Sequence, residues 1–244
     1  MRVFETEIQA AEFCQQTIQH IVSKKKDALM CLAAGHTSLI LFDLLRKSDV
    51  NGDIDFSKIK IVGLDEWVGL SGRDDGSCEN FLRKNLFDHI GIKEENIRLF
   101  DGKVKDLHSE CKSVEAFIKA NGGIDYMLLG VGMNGHLGLN EPGVDVNSTA
   151  SVVKLDDITM KVADKYFEQK LALTGGVTLG IQNILHSDVV QVLITGKRKS
   201  EIVKRIMDIK ETNLVPATLI KNDENVTFIL DSKAASHTKN REEK

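Results

Sequence analysis

The sequence predicts an α/β fold built on a mostly parallel sheet that helices cover on both faces. Apolar runs of strand length alternate along nearly the whole chain with stretches whose apolar residues recur at helical spacing. No repeat and no Pro- or Ser-rich linker interrupts that alternation, and 244 residues suffice to bury a substantial core in one domain.

Ile8, Ala11, Ile18, Ile21 and Val22 fall at roughly helical spacing before Lys24, Lys25 and Lys26, so a first helix precedes the buried strand ALMCLAA. LILFDLLRK is then a helix and KIKIVGL a strand. ENFLRKNLFDHI and VKDLHSECKSVEAFIKANGG are helical, the second with Gly122 near its end, and IDYMLLG is the next strand. DDITMKVADKYFEQKL and VTLGIQNIL read as helices, DVVQVLIT as a strand, RKSEIVKRIMDIK as a helix and VTFILD as the last strand. One domain is expected over residues 1–232, with a polar, solvated tail over 233–244.

Composition removes several function classes. A net charge of -4, from 32 basic and 36 acidic residues, gives no bulk attraction to nucleic acid or to an anionic membrane. The start MRVFETEIQAAEF carries acids among its apolar residues, which supports neither a signal nor a transit peptide, and no apolar run approaches the roughly 18 residues needed to span a bilayer. Cys14, Cys31, Cys78 and Cys111 are scattered without a C-x-x-C pair, so neither a disulfide framework nor a zinc site is indicated, and a cytoplasmic location is expected.

In a parallel sheet, ligands sit where loops leave the carboxyl ends of the strands. Four such loops carry chemistry. Gly35, His36, Thr37 and Ser38 stand between a strand and a helix, where backbone N–H groups and hydroxyls stabilise an anion such as phosphate; an ordinary helix cap uses the same residues. GLDEWVGL places Asp65 and Glu66 after a buried strand, where a carboxylate is costly unless it meets partners or a substrate, so a general base and a polar turn are both open readings. Trp67 either walls a pocket or belongs to the core. In TGKRKSEIVKRI, Lys197, Arg198 and Lys199 open a helix against its dipole, a conflict that a bound anion or a salt bridge would resolve.

The remaining loop, LLGVGMNGHLGLNEPG, contains G-V-G-M-N-G and so matches the dinucleotide fingerprint G-x-G-x-x-G. A nucleotide site needs a helix that starts within the glycines, and HLGLNEPG, with Gly138 and Pro142, offers none. The glycines instead let the backbone approach a ligand. His136 exchanges a proton near neutral pH and Glu141 fixes its tautomer, which is acid–base equipment. Together the loops suggest a phosphorylated small molecule held by Gly35 to Ser38 and Lys199. Asp65 and the His136–Glu141 pair would stand at its reacting end, a set suited to isomerisation or elimination next to a carbonyl.

LDEWVGL and LLGVGMNGHLGLNEPG in that order, with GHTS upstream and GKRK downstream, resemble the glucosamine-6-phosphate deaminase/isomerase family over roughly residues 1–232. The NGHLGLNEPG form, GSCENFL and ALTGGVTLGIQNIL look closest to its galactosamine-6-phosphate branch. The resemblance implies a Rossmann-like three-layer sandwich with a helical lid and no metal or organic cofactor. It implies aldose–ketose isomerisation with hydrolytic deamination of a hexosamine 6-phosphate, galactosamine 6-phosphate ahead of glucosamine 6-phosphate. Asp65 would move the proton between C2 and C1, and His136, assisted by Glu141, would open the sugar ring. Asn134 stands where the best-known members carry Asp. Gly35, His36, Thr37, Ser38, Gly130 and Lys199 would hold the substrate and its phosphate, and Lys165 aligns with an arginine of the lid helix, with charge kept and bidentate geometry lost. Ala34 and His36 depart from the family's usual T-G-S/G-T loop. The stretch VDVNSTASVV lacks the basic residues of allosteric members, so no activation by an N-acetylated amino sugar phosphate is expected. The implied unit is a monomer or a small homo-oligomer. A 6-phosphogluconolactonase-type hydrolase, which shares the glycine–His turn without the NEP ending, and a non-catalytic sugar-phosphate sensor are the rival readings.

Overall fold

The computed structural model describes residues 1–155 and 174–238. Ten strands lie among them: β1 (Arg2–Phe4), β2 (Leu29–Leu32), β3 (Lys60–Val62), β4 (Asp65–Trp67), β5 (Ile97–Arg98), β6 (Tyr126–Leu129), β7 (Ser151–Val153), β8 (Gly176–Thr178), β9 (Val190–Ile194) and β10 (Val226–Asp231). The helices are α1 (Glu7–Lys24), α2 (Leu39–Val50), α3 (Cys78–Asn85), α4 (Leu107–Ala120), α5 (Ile181–Leu185) and α6 (Ser200–Asp208).

Seven strands form one sheet in the order β1-β10-β9-β6-β2-β3-β5, and each of its neighbouring pairs is parallel. The apolar runs are continuous because both faces are covered. Met30, Leu32 and Leu128 pack with Ile18 of α1 and Leu45 of α2, while Cys31, Met127 and Leu129 face the other way, against Val114 of α4 and Val203 of α6. Alternation along each strand thus feeds two cores, one per face, and gives the three-layer sandwich.

Local signals fix the helix starts. Thr6 and Gln9 form a capping box before α1. Ser77 and Asp106 accept from the backbone N–H groups of Asn80 and Ser109 at the starts of α3 and α4.

The edge strands β1 and β5, of three and two residues, are not part of the sequence expectation, and further differences appear. VTLGIQNIL is not one helix: Val177 and Thr178 lie in strand β8, and only Ile181–Leu185 is helical. A Cβ at Gly176 would meet Leu139 Cδ1 at 2.2 Å and one at Gly180 would meet the Ser148 carbonyl oxygen at 2.2 Å, so close packing of extended backbone overrides the helical periodicity there. β8 joins β4 and β7 in a second, three-stranded antiparallel sheet that the sequence reading did not contain. Ala234–His237, within the stretch expected to be a polar tail, forms a 3-10 turn whose Ala234 is fully buried in the core beside α6. The helix expected over DDITMKVADKYFEQKL, and with it the helical lid, lies outside the described residues. Among the described residues no helix is long and apolar enough to cross a membrane.

Candidate active site

The four loops singled out from the sequence leave the ends of β9, β6, β2 and β3, which are consecutive neighbours in the sheet. From β2 the chain moves outward to β3 and β5, then returns on the other side of β2 to β6, so β2 and β6 flank the point where strand order reverses. In parallel sheets of this kind loops diverge at such a reversal, and the crevice between them is where ligands bind.

Asp65 opens β4, whose pairing with β8 sets it opposite Thr178. The Thr178 hydroxyl donates to the carbonyl oxygen of Leu179 at 3.1 Å and accepts from the N–H of Leu139 at 3.2 Å, which ties the small sheet to the glycine turn. A Cβ at Gly138 would come within 2.9 Å of Thr178 Oγ1 and 3.4 Å of Asp65 Oδ2, so at φ +56 this glycine serves both conformation and approach. Burial raises the Asp65 carboxyl to about 6, against the opposing effects of the Cys78 thiol beside it and the proximity of His136. A carboxyl so placed is ionised at neutral pH and still basic enough to take a proton.

The glycine turn runs from the end of β6 without any helix, so the fingerprint resemblance to a nucleotide site fails structurally. Hydrogen bonds from the Gly132 N–H to the His136 carbonyl and from the Gly135 N–H to the Gly132 carbonyl, each 3.0 Å, close it tightly. At Gly132 an added Cβ would sit 2.3 Å from His136 Nε2, because the imidazole lies on that backbone. Asn134 is buried, donates from Nδ2 to Glu141 Oε2 at 2.7 Å and accepts the N–H of His136 at 3.1 Å. His136 Nδ1 stands 3.4 Å from the same Glu141 oxygen. The neutral amide therefore links the carboxylate to the backbone of the histidine, so Asn134 fixes the pair without adding a charge.

Beyond β2, Gly35 takes φ +129 and His36–Ser38 form a 3-10 turn that leads into α2. The Ser38 hydroxyl is buried and donates to the Ala33 carbonyl at 2.9 Å, so it shapes the loop while its oxygen remains an acceptor. Thr37 is half-buried and the His36 ring is exposed, 6.3 Å from that of Phe81. A Cβ added at Gly130 would meet no atom within 4 Å. Lys199, beyond β9, donates from Nζ to the Val131 carbonyl at 2.5 Å, and burial lowers its pKa. Lys197 is tied instead to Ser236 at 2.9 Å. Lys165 lies outside the described residues. Among the described residues no cluster of His, Cys, Asp and Glu is arranged to hold a metal ion.

Sequence reasoning missed what holds Asp65 in place. Thr178 carried no signal beyond its β-branched neighbourhood. Glu66, weighed beside Asp65 as a possible base, is instead 1% exposed and bonded to the start of α3. Trp67 packs with Leu70 and Leu139, a core role.

A family model described as glucosamine-6-phosphate isomerases/6-phosphogluconolactonase matches residues 4–229. The chain belongs to this family. Within it, a glucosamine-6-phosphate deaminase of Thermoanaerobacter sp. (strain X514) is 34% identical over 222 residues, 91% of this chain and 88% of the relative. Glucosamine-6-phosphate deaminase 2 of Bacillus subtilis (strain 168) is 35% identical over 225 residues, 91% of this chain and 90% of the relative. The solved structure of a monomeric glucosamine-6-phosphate deaminase superposes with a TM-score of 0.92 at 31% identity and covers 97% of this chain and 100% of its own. The 6-phosphogluconolactonase of Trypanosoma brucei shares the fold, with a TM-score of 0.75 at 21% identity and 98% of each chain covered.

Proposed function

We propose that the chain isomerises and deaminates a hexosamine 6-phosphate, with glucosamine 6-phosphate, the substrate for which its relatives are named, giving fructose 6-phosphate and ammonia. The observation that carries this reading is the meeting of Asp65 with the His136–Glu141 pair beside neighbouring strand ends that present Gly35–Ser38 and Lys199.

The phosphate dianion is held by the backbone of Gly35–Ser38 and Gly130 and by the Lys199 ammonium. His136 passes a proton to the ring oxygen as the C1–oxygen bond breaks, and the C1 hydroxyl gives up its proton to water as the aldehyde forms, while Glu141 stabilises the imidazolium form of the histidine. Asp65 removes the proton from C2 and delivers it to C1 through an enolamine. The resulting C2 iminium takes up water, and carbon–nitrogen cleavage releases ammonia and the ketose. Water is the only co-reactant, so hexosamine 6-phosphate plus water balances ketose 6-phosphate plus ammonia.

The galacto epimer is a second reading, carried by the NGHLGLNEPG, GSCENFL and ALTGGVTLGIQNIL forms. Ammonium release from glucosamine 6-phosphate and galactosamine 6-phosphate, assayed side by side, decides. A kcat/KM at least about tenfold higher for the gluco compound is expected, and the reverse ratio moves the assignment to the galacto branch. No ammonium from either, with hydrolysis of 6-phosphogluconolactone, would overturn the deaminase reading; binding without turnover of any of the three would make the chain a sensor.

A further inference from the structure

Successive side chains of a strand point to opposite faces. In β4, Asp65 faces the glycine turn, and Glu66 is turned beneath the strand. The Glu66 carboxylate accepts four hydrogen bonds there. Oε1 takes the N–H groups of Trp67 at 2.9 Å and Cys78 at 3.0 Å, and Oε2 takes the Ser77 hydroxyl at 2.8 Å and the Glu79 N–H at 3.1 Å. Three of these donors belong to the start of α3, and the Ser77 oxygen itself accepts from the Asn80 N–H at 3.1 Å. The N–H groups that a helix start leaves without intrahelical partners are thus shared between the cap Ser77 and a carboxylate on another element.

A cap needs only Ser77. The extra carboxylate, buried at the cost of its hydration, pins the first residue of α3 to the strand that carries the base. That first residue is Cys78, whose thiol lies beside the Asp65 carboxyl. A thiol is a weak donor, so its contribution depends on being held in line.

We infer that Glu66 is a positioning residue for Asp65: it anchors the start of α3 to β4 so that the Cys78 thiol donates to the Asp65 carboxylate and holds it against the glycine turn. The inference rests on Asp65 as the proton-transferring base. The titratable groups facing Asp65 are Cys78 from α3, His136 from the glycine turn and Cys31 from β2, with Glu66 beside it on β4.

The test compares Glu66→Gln, Cys78→Ala and Cys78→Ser, with kcat, KM and the pH profile of kcat/KM as readouts. In Glu66→Gln an amide N–H₂ confronts donors on one side of the old carboxylate, so kcat falls at least about tenfold while KM stays within about threefold. Loss of the thiol donor removes an effect that favours the ionised base, so the acid limb moves to higher pH by roughly half a unit in Cys78→Ala. Cys78→Ser restores the limb, because a hydroxyl also donates. Wild-type kcat and limb in Glu66→Gln, or an unmoved limb in Cys78→Ala, overturn the inference; if Glu66→Gln does not fold, the Cys78 pair decides alone. Should the wild-type protein release no ammonium from either sugar phosphate, the function reading fails separately, and the anchor is then judged by alkylation of Cys78 in the resting protein. A rate about tenfold faster in Glu66→Gln upholds it and an unchanged rate overturns it.

Discussion

The seven-stranded sheet reaches the candidate site only through loops beyond its strand ends, whereas the three-stranded sheet places a residue of the strand itself, Asp65 of β4, near His136 of the glycine turn. In the proposed function the first arrangement would present backbone and one long cation, Lys199, to a phosphate, and both tolerate small displacements. The second fixes a desolvated carboxylate through pairing with β8, the Thr178 hydroxyl network and the contact with α3. Anion binding at the large sheet and proton transfer at the small one should therefore separate cleanly under mutation.

The largest effect belongs to the small sheet. Asp65→Asn should lower kcat for ammonium release by about 10³-fold while calorimetric affinity for the sugar phosphate changes only a few-fold; full activity in this variant would sink the assignment. The same change should raise Tm. With the folded carboxyl at about 6 and its ordinary value at 3.8, ionised Asp65 costs stability at pH 8, and that cost shrinks as pH falls through 6 and vanishes below about 4. A Tm gain present at pH 8 and absent near pH 4 is expected in a melting series.

Gly132→Ala comes next. Its methyl would overlap the imidazole at 2.3 Å from Nε2 and displace His136 while leaving its chemistry intact, so kcat should fall by roughly 10- to 100-fold with little change in KM. Steady-state kinetics that match the wild type would show that the ring does not work from that position. Lys199→Ala should give the smallest change in turnover, with KM up by about tenfold and kcat within about threefold. Because Nζ also bonds the Val131 carbonyl, an equal fall in kcat would mean that the cation supports the glycine turn as well, and the proposed division between the sheets would break.

The large sheet was legible because each of its interior strands is an apolar run bounded by turn chemistry, as in ALMCLAA and IDYMLLG, and helices of regular period separate them. The small sheet was not. Its strands are three residues each, too short for a period, and what makes Gly176 extended is Leu139 and what makes Asp65 a strand residue is Thr178, partners far along the chain. For the same reason the His136–Glu141 pair, five residues apart, could be read locally, while Glu66 as an anchor for α3 could not. The role of Asn134 needed the direction of its amide, which sequence does not carry. Ala234 sits in a stretch whose polar neighbours masked one buried contact.

The small sheet also has a consequence for the order in which the molecule is made. Asp65 pairs with Thr178, roughly a hundred residues later, and Ser151 pairs with the same threonine from the other side. Closing so long a loop brings no return until the last partner is present. On a growing chain, β2, β3 and β6 can assemble while Asp65 still lacks its partner strand, and the carboxylate stays hydrated and ordinary in strength. Synthesis thus supplies the partner of Asp65 after β6 but before β9 and β10, so the burial of this carboxylate is set midway through assembly of the large sheet, while β1 still waits for β10.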